Sequence, residues 1–430
     1  ENFLPLVSNS NAQGGENLIV GDVKQSIYRW RGSDWKLLNA AIPAQFPGHM
    51  QVNLQTNYRS LSTVVEFNNA FFKVAARVLD KISGHEKAVG PMGRIYADVR
   101  QEVAPSKKGE GLVSMTFCPE GEEVEQVYQA VLKAVESGAR LSEIAVLVRN
   151  KIPGQAVAAH LIANGIPVLT EEALKAKSAL TVRRLASLMS YVDNPENTVN
   201  GFLARTLEIE MPEKSISLID MAESLLRSLK KMDSQQLWKG EASHIQAFMD
   251  TLLDYVSLNG NNLRGFLKYW DEHDPSICSS PTEDSVKVMT IHKSKGLDFP
   301  YVIIPFAETM SLYKADPYWC SPDLEGTDLE ASAEGVYDVN LSSSAENTCF
   351  SDYYIQERFL QQVDNINTLY VAMTRASLGN HIIAVTPPAS QMESFSKMIL
   401  TEFKDMSQIL YWYAERIRMD RTDDGEVVHF

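Results

Sequence analysis

Between residues 112 and 168 the chain alternates two kinds of apolar spacing, and this alternation restricts the fold more than any other feature. Residues 112–117 read as a strand and the stretch to Val135 as a helix. Residues 144–148 are an unbroken apolar run closed by Arg149 and Asn150, the pattern of a strand buried on both faces of a parallel sheet. A second helix is expected to about Ala163, and Gly165, Ile166, Pro167 and Val168 open another strand. Such a β-α-β-α-β succession requires parallel strands covered by helices, so the expected fold class is an α/β layer fold. Strand character returns at residues 286–289 and 301–304, a helix reaches Leu369, and residues 382–385 close the set. Upstream, Val64, Val65, Phe67, Phe71, Phe72, Ala75 and Val78 recur at helical spacing.

The alternation is interrupted once. Leu185, Leu188, Met189 and Val192 form a helical stripe, followed by Leu218, Met221, Leu225 and Leu229, and by Ile245, Phe248, Met249, Leu252 and Val256. Residues 175–279 are therefore read as an all-helical insertion. Residues 317–347 are polar, carry glycine and serine, and read as a loop-rich insertion. No internal repeat is visible.

At 430 residues there is room for two to three domains. Net charge is −15, from 40 Lys and Arg against 55 Asp and Glu, which argues against a nucleic-acid binder of the basic-patch type. A local basic channel on an acidic body remains compatible with it, and acids cluster between Asp323 and Glu346, away from the arginine-rich opening segment. No apolar run is long enough to cross a bilayer, and no signal segment opens the chain. Cys118, Cys278, Cys320 and Cys349 are scattered without metal-ligand spacing and read as free thiols of a reducing, cytoplasmic compartment. The eight histidines form no metal-like cluster. The chain begins at Glu1 without methionine and is expected to be a processed or cut piece.

The run from Gly21 to Gly32 carries the most chemistry. It follows Leu18, Ile19 and Val20, which read as a buried strand, and Gly21 permits a sharp turn. Gln25 can donate to a phosphate oxygen or orient a water. Tyr28 and Trp30 offer faces on which bases stack, and Arg29 and Arg31 can reach phosphates. The competing reading is a strand end capped by a polar loop whose aromatics are core. Three more clusters follow the same logic. Asn57, Tyr58, Arg59 and Ser60 put an aromatic beside a guanidinium. Residues 290–300 gather Thr290, His292, Lys293 and Lys295 in a loop between two strands, where α/β sheets bind ligands. Residues 370–376 place Arg375 on a small apolar helix surface, as an ion-pair partner or an arginine finger.

In this order the four clusters resemble the third to sixth helicase motifs of superfamily 1 helicases of the UvrD/Rep type, over a span from Leu18 to about Ala376. Val23 and Lys24 after Gly21 and Asp22 look more like the AddA/RecB branch of recombination helicase–nucleases than the UvrD/PcrA branch, which is more acidic there. The resemblance implies that Gln25 senses the ATP γ-phosphate, Arg59 reaches it, and Arg375 is the arginine finger. Tyr58 would pack on the adenine, and Asp298, standing where the family usually has Glu, would lie near the ribose. Tyr28, Trp30 and Arg31 would contact single-stranded DNA, with Thr290, His292 and Lys295 along the same track and Tyr370 linking it to the ATP site.

Two family parts are not found: a Gly-x-x-x-x-Gly-Lys-Ser/Thr phosphate loop, and an acidic pair upstream of Gly21 to hold Mg²⁺. Residues 271–274 mimic the latter but come too late in the order. The resemblance therefore implies the C-terminal portion of an ATP-dependent DNA helicase, of a helicase/exonuclease, acting in recombination and double-strand-break repair. Residues 1–50 would be the tail of a first RecA-like domain, 51–174 and 280–400 a second one, 175–279 its helical insertion, and 401–430 a C-terminal extension or linker. ATP and Mg²⁺ would serve the intact protein, with none bound to this piece, which is expected to be inactive alone. Expected partners are single-stranded or duplex-end DNA, the first RecA-like domain and a second nuclease–helicase subunit, with no membrane. The alternative is a non-catalytic helicase-like scaffold for DNA or a partner subunit.

Overall fold

The computed structural model describes residues 4–32, 35–84, 90–170, 175–232, 241–273, 275, 284–322, 335–389, 391, 403–416, 420–422 and 425–429. They fall into two compact units, Glu1–Asn164 with Met289–Phe430, and Gly165–Val288.

The larger unit is a mixed α/β layer built on β1 (Leu112–Cys118), β2 (Ile144–Val148), β5 (Phe299–Ile304) and β6 (Ala376–Val385). Strands β3 (Val168–Thr170) and β4 (Val286–Thr290) form a parallel pair in the smaller unit, and β4 carries the chain back to the larger one. In the larger unit β6 lies between β1 and β5, and β5 pairs with β2, all parallel. Asn380 is level with Val113 on one side and Val302 on the other. All five residues of β2 are buried, as a strand with helices on both faces requires.

Helix α1 (Ser62–Ile82) buries Val64, Phe67, Phe71, Ala75 and Val78 along one stripe, so its apolar periodicity is answered by packing. Helices α2 (Glu123–Glu136) and α3 (Lys151–Ala163) follow β1 and β2. In the smaller unit α4 (Leu180–Asp193), α5 (Thr198–Thr206), α6 (Leu218–Met232), α7 (Ala242–Asn259) and α8 (Leu263–Glu272) enclose their own core. Leu185, Met221, Leu225, Phe248, Leu252 and Phe266 meet there, with the Phe248 and Trp270 ring centroids 4.7 Å apart. Back in the larger unit, α9 (Ser351–Met373) runs 23 residues and delivers the chain to β6.

Two expectations are corrected. Leu18, Ile19 and Val20 are not a buried strand: they are outside any regular element and exposed, Leu18 by 88%. No strand of the described residues pairs with them, so their backbone has no ladder to join. Within residues 401–430, helix α10 (Met406–Ala414) is buried at every position, polar Ser407 and Gln408 included. After β7 (Asp420–Thr422), β8 (Gly425–His429) extends the sheet antiparallel to β1. The insertion at 317–347 contains a short antiparallel ribbon, Pro317–Cys320 with Tyr337–Asn340. Cys118 and Cys320 are buried free thiols and Cys349 an exposed one; Cys278 lies outside the described residues. No helix of the described residues is long and apolar enough to cross a membrane.

Glu308, in the turn Ala307–Thr309 after β5, is the most perturbed carboxyl of the larger unit. Burial, with the Glu123 and Asp405 charges nearby, pushes it up to about 7, although backbone N–H groups of Glu308 and Val385 pull it down. Its Oε2 is buried without a partner. The folded state thus holds an extra proton between the ordinary value of 4.5 and about 7, and stability falls as pH rises through that window. At 1.36 kcal/mol per unit the effect is at most about 3 kcal/mol. Glu308→Gln is expected to raise the melting temperature at pH 8 and to leave it nearly unchanged at pH 4.5, as read by thermal unfolding at the two pH values.

Candidate functional site

The turn from α9 into β6 holds two guanidinium groups against one residue. Arg375 is 1% exposed. Its Nε donates to the Val371 carbonyl at 2.8 Å, Nη1 to the Leu297 carbonyl at 3.1 Å and Nη2 to Thr374 Oγ1 at 3.0 Å. Arg59 Nη1 donates to the Thr374 carbonyl at 2.9 Å. The local sequence explains why both arrive. The Asn57 side chain accepts from the backbone N–H groups of Arg59 and Ser60, both at 2.9 Å, an Asx turn of the kind this residue favours. The Ser60 hydroxyl then donates to the Ala376 carbonyl at 2.6 Å, and Leu61 N–H to Ser377. Thr374 N–H donates to Tyr370, and Phe299 N–H to the Arg375 carbonyl, both within 3.0 Å.

Burial first, and the Arg59 charge second, lower Arg375 to about 10, still charged at neutral pH. No described carboxylate forms an ion pair with Arg59 or Arg375; the negative charges of Asp22 and Asp298 act on Arg375 from farther off. Tyr58, beside Arg59, is 72% exposed, and Asp298, just ahead of β5, is exposed. Tyr370 is in the core, its ring edge-on to Phe72 and Tyr96.

Residues 22–29 lie along α9. Asp22 accepts from Lys24 N–H with Oδ1 and from Gln25 Nε2 with Oδ2, both at 3.0 Å. The buried Lys24 ammonium pairs with Asp22 at 3.2 Å and Asp98 at 3.1 Å. Asn367 on α9 donates to the Val23 and Ser26 carbonyls, each at 3.2 Å. Arg29 is not free to reach a phosphate, contrary to its sequence reading. Its Nη1 and Nη2 fork the Glu357 carboxylate, both at 2.8 Å, and its Nε bonds Asp364 at 2.6 Å. The Glu357 bond chiefly holds the Arg29 pKa above its ordinary value, whereas burial raises Asp364 from its ordinary value with Arg29 pulling it back.

Farther along, the Tyr28 hydroxyl donates to the His292 carbonyl at 2.6 Å. Lys295 Nζ lies 5.4 Å and the Arg31 guanidinium 5.9 Å from the Tyr28 ring centre, both within cation–π reach. Arg31 and Lys295 are exposed, and Thr290 ends β4. The backbone of Trp30 is in the turn Arg29–Arg31; its side chain lies outside the described residues. His292 Nε2 is 3.0 Å from the Ile27 carbonyl. A carbonyl only accepts, so Nε2 carries the proton, and Arg149 Nη1 lies 3.2 Å from Nδ1 and 3.1 Å from Nε2, against the ring as a whole.

Arg149 is the residue that sequence reasoning left unused. The signal was present, a polar pair closing a buried strand at its carboxyl end, where α/β sheets bind ligands. Arg149 follows the carboxyl end of β2, while Arg375 precedes the amino end of β6. Because β2, β5 and β6 are parallel, the two clusters occupy opposite ends of one sheet. Among the described residues no group of three or more His, Cys, Asp or Glu side chains is placed to hold a metal ion.

Comparison with known proteins matches residues 52–226 and 204–384 to the UvrD-like helicase C-terminal domain, and residues 2–44 to the UvrD/REP helicase N-terminal domain. The chain is 27% identical, over 71% of its length, to 31% of an ATP-dependent helicase/nuclease subunit of Streptococcus pneumoniae strain CGSP14. It is 24% identical, over 89% of its length, to 38% of the protein of the same name from Geobacillus thermodenitrificans. A third, from Carboxydothermus hydrogenoformans, is 23% identical over 71% of this chain and 33% of its own. The chain thus spans about a third of the length of these relatives.

Burial first and Arg149 second lower the His292 pKa from 6.5. Its stabilising contribution is complete above pH 6.5 and is lost as pH falls below it, because a half-buried imidazolium is poorly solvated and is repelled by the Arg149 charge. His292→Gln keeps a donor for Ile27 and cannot titrate. The wild type is expected to lose more stability than this variant between pH 7.5 and 5.5, as measured by thermal unfolding.

Proposed function

Because this chain belongs to the UvrD-like helicase family, we propose that it supplies the second motor lobe of an ATP-dependent DNA helicase acting in recombination and double-strand-break repair. The observation that carries the reading is the meeting of Arg59 and Arg375 at Thr374 without a described carboxylate partner. A buried guanidinium lacking a counter-ion is unfavourable, and a polyphosphate is an anion whose oxygens match its fork. The residues fit a triphosphate in this respect. Arg59 and Arg375 bind its terminal phosphate, and Arg375, fixed by three hydrogen bonds, stabilises charge that builds up there during phosphoryl transfer. Gln25, held by Asp22, orients toward the same phosphate; the exposed Tyr58 packs on the base, and Asp298 lies toward the ribose. Mg²⁺ would neutralise phosphate charge when bound, and no ligand for it is assigned to this chain.

At the opposite end of the sheet, Arg31 and Lys295 contact the backbone of single-stranded DNA, with Tyr28, Trp30, Thr290 and His292 along the same track. His292 takes part as a neutral group. Tyr370, in the core between the ends, transmits rather than touches. On this reading residues 1–50 belong with a first RecA-like lobe of the same protein. That lobe would cover Leu18, Val20, Met50, Val52 and Leu54, each more than two-thirds exposed in this chain. Residues 51–174 and 280–400 form the second lobe, interrupted by helical residues 175–279. A second nuclease–helicase subunit is the further partner.

In the full-length protein, Arg375→Lys is expected to lower DNA-stimulated ATP hydrolysis roughly 10³-fold while the affinity for single-stranded DNA stays within about threefold. Unchanged unwinding by that variant would favour the scaffold reading, to which the net charge of −15 lends itself. The 430-residue chain by itself is expected to show no magnesium-dependent ATP hydrolysis in a phosphate-release assay.

A further inference from the structure

We propose that Arg29, Glu357, Asp364 and Asn367 form a strut that sets the position of Arg375 according to the state of the DNA-contacting segment 22–31. The inference rests on the helicase reading above and assigns a positioning role to residues that reading leaves unused. Three observations carry it.

Segment 22–29 runs antiparallel to α9 and is fixed to it at successive levels. The Asp22 charge acts on Tyr370 and Arg375 at the end of the helix. The Val23 and Ser26 carbonyls are held by Asn367, and Arg29 is held by Asp364 and Glu357 farther back.

These helix residues form one stripe. At 100° per residue, positions 357, 364, 367 and 371 fall within a sector of about 80°. Val371 at the end of that stripe accepts the Arg375 Nε bond. From Glu357 to Arg375 the helix direction spans about 27 Å at 1.5 Å per residue. The stripe therefore connects the carboxyl-end cluster to the amino-end cluster as one rigid element.

The contacts are specified from behind. Gln361 Nε2 donates to Glu357 Oε1 at 3.1 Å and to the Lys314 carbonyl at 3.0 Å, while its own side-chain carbonyl accepts from Lys314 N–H at 2.8 Å. Asn367 is fully buried and its Oδ1 accepts from the Tyr96 hydroxyl at 2.8 Å. A bidentate arginine fork is directional in a way a lysine is not, so a displacement of Tyr28 or Arg31 by DNA moves α9 along with Arg29. A network of buried polar groups with one satisfied arrangement transmits such a shift rather than absorbing it.

The test uses the full-length protein and compares Arg29→Lys and Glu357→Gln with wild type. Lysine keeps the charge and loses the fork; glutamine keeps the shape and loses the charge. Three quantities are read: basal ATPase, ATPase saturated with oligothymidylate, and the affinity for oligothymidylate. The expected result is a drop of about tenfold in the DNA-stimulated rate, with basal rate and DNA affinity within twofold of wild type. A merely structural staple would lower basal and stimulated rates together, and that outcome overturns the proposal. Weakened DNA affinity with the stimulation ratio intact also overturns it, because Arg29 would then be a phosphate contact. Should Arg29→Lys fail to fold, an unchanged stimulation ratio in Glu357→Gln is equally fatal. Absence of DNA-stimulated ATPase in the wild type, by contrast, defeats the helicase reading itself and the strut with it.

Discussion

The fork of Arg29 on Glu357, extended to Asp364, is the interaction on which the arrangement of this protein turns. It joins residues more than three hundred positions apart and holds a short irregular segment against a 23-residue helix. Segment 22–31 contains only two brief turns and has no ladder or long helix to define its path. Its shape is imposed by side chains of α9 and by His292, whose ring and carbonyl hold Ile27 and Tyr28. A bidentate guanidinium–carboxylate pair suits this task because it fixes direction as well as distance. Removal of Arg29 would leave the Glu357 and Asp364 carboxylates without their shared cation, which is more destabilising than the pair is stabilising.

The parallel sheet gives this local order a wider meaning. Its amino edge carries Arg375 and receives Arg59 through the Asn57–Ser60 turn; its carboxyl edge carries Arg149 and gathers His292, Tyr28 and Lys295. Helix α9 begins on one side and ends on the other, as a crossover helix between parallel strands must. Two clusters of cations at opposite ends of a sheet are thus joined by one helix, the arrangement on which the proposed strut depends. The titration behaviour fits the division of labour. Arg375 and Arg149 are both depressed by burial, so each is a cation short of counter-charge. Arg29, with two carboxylates, is raised and is structurally committed.

Much of the fold was legible from apolar spacing. Residues 144–148 are a buried strand because five consecutive apolar side chains need covering on both faces, and the α1 stripe is a helix because Phe67, Phe71 and Ala75 recur at its period. The helices of the smaller unit were visible for the same reason. Leu18, Ile19 and Val20 misled, since three apolar residues constitute a strand only when a neighbouring strand supplies hydrogen bonds. Residues 406–414 were not read as an element because a short helix buried on every face, with only Ser407 and Gln408 polar, lacks the periodicity by which an amphipathic one is recognised.

By itself the sequence determined which residue types stand at strand ends and helix termini, and hence the α/β class, the helical insertion and the four clusters that carry the family resemblance. These are local properties, set by side-chain periodicity and turn chemistry within a few residues. Only the tertiary structure decided which arginines are held by carboxylates and which are not. Arg29, Arg59, Arg149 and Arg375 look alike in a linear chain, each a cation beside a turn or element end. Folding gave Arg29 two carboxylates from one helix, left Arg59 and Arg375 together at Thr374 and set Arg149 against a neutral imidazole. The physical reason is that a charge is paired by whatever lies within a few ångströms, and that neighbourhood is fixed by contacts hundreds of positions apart.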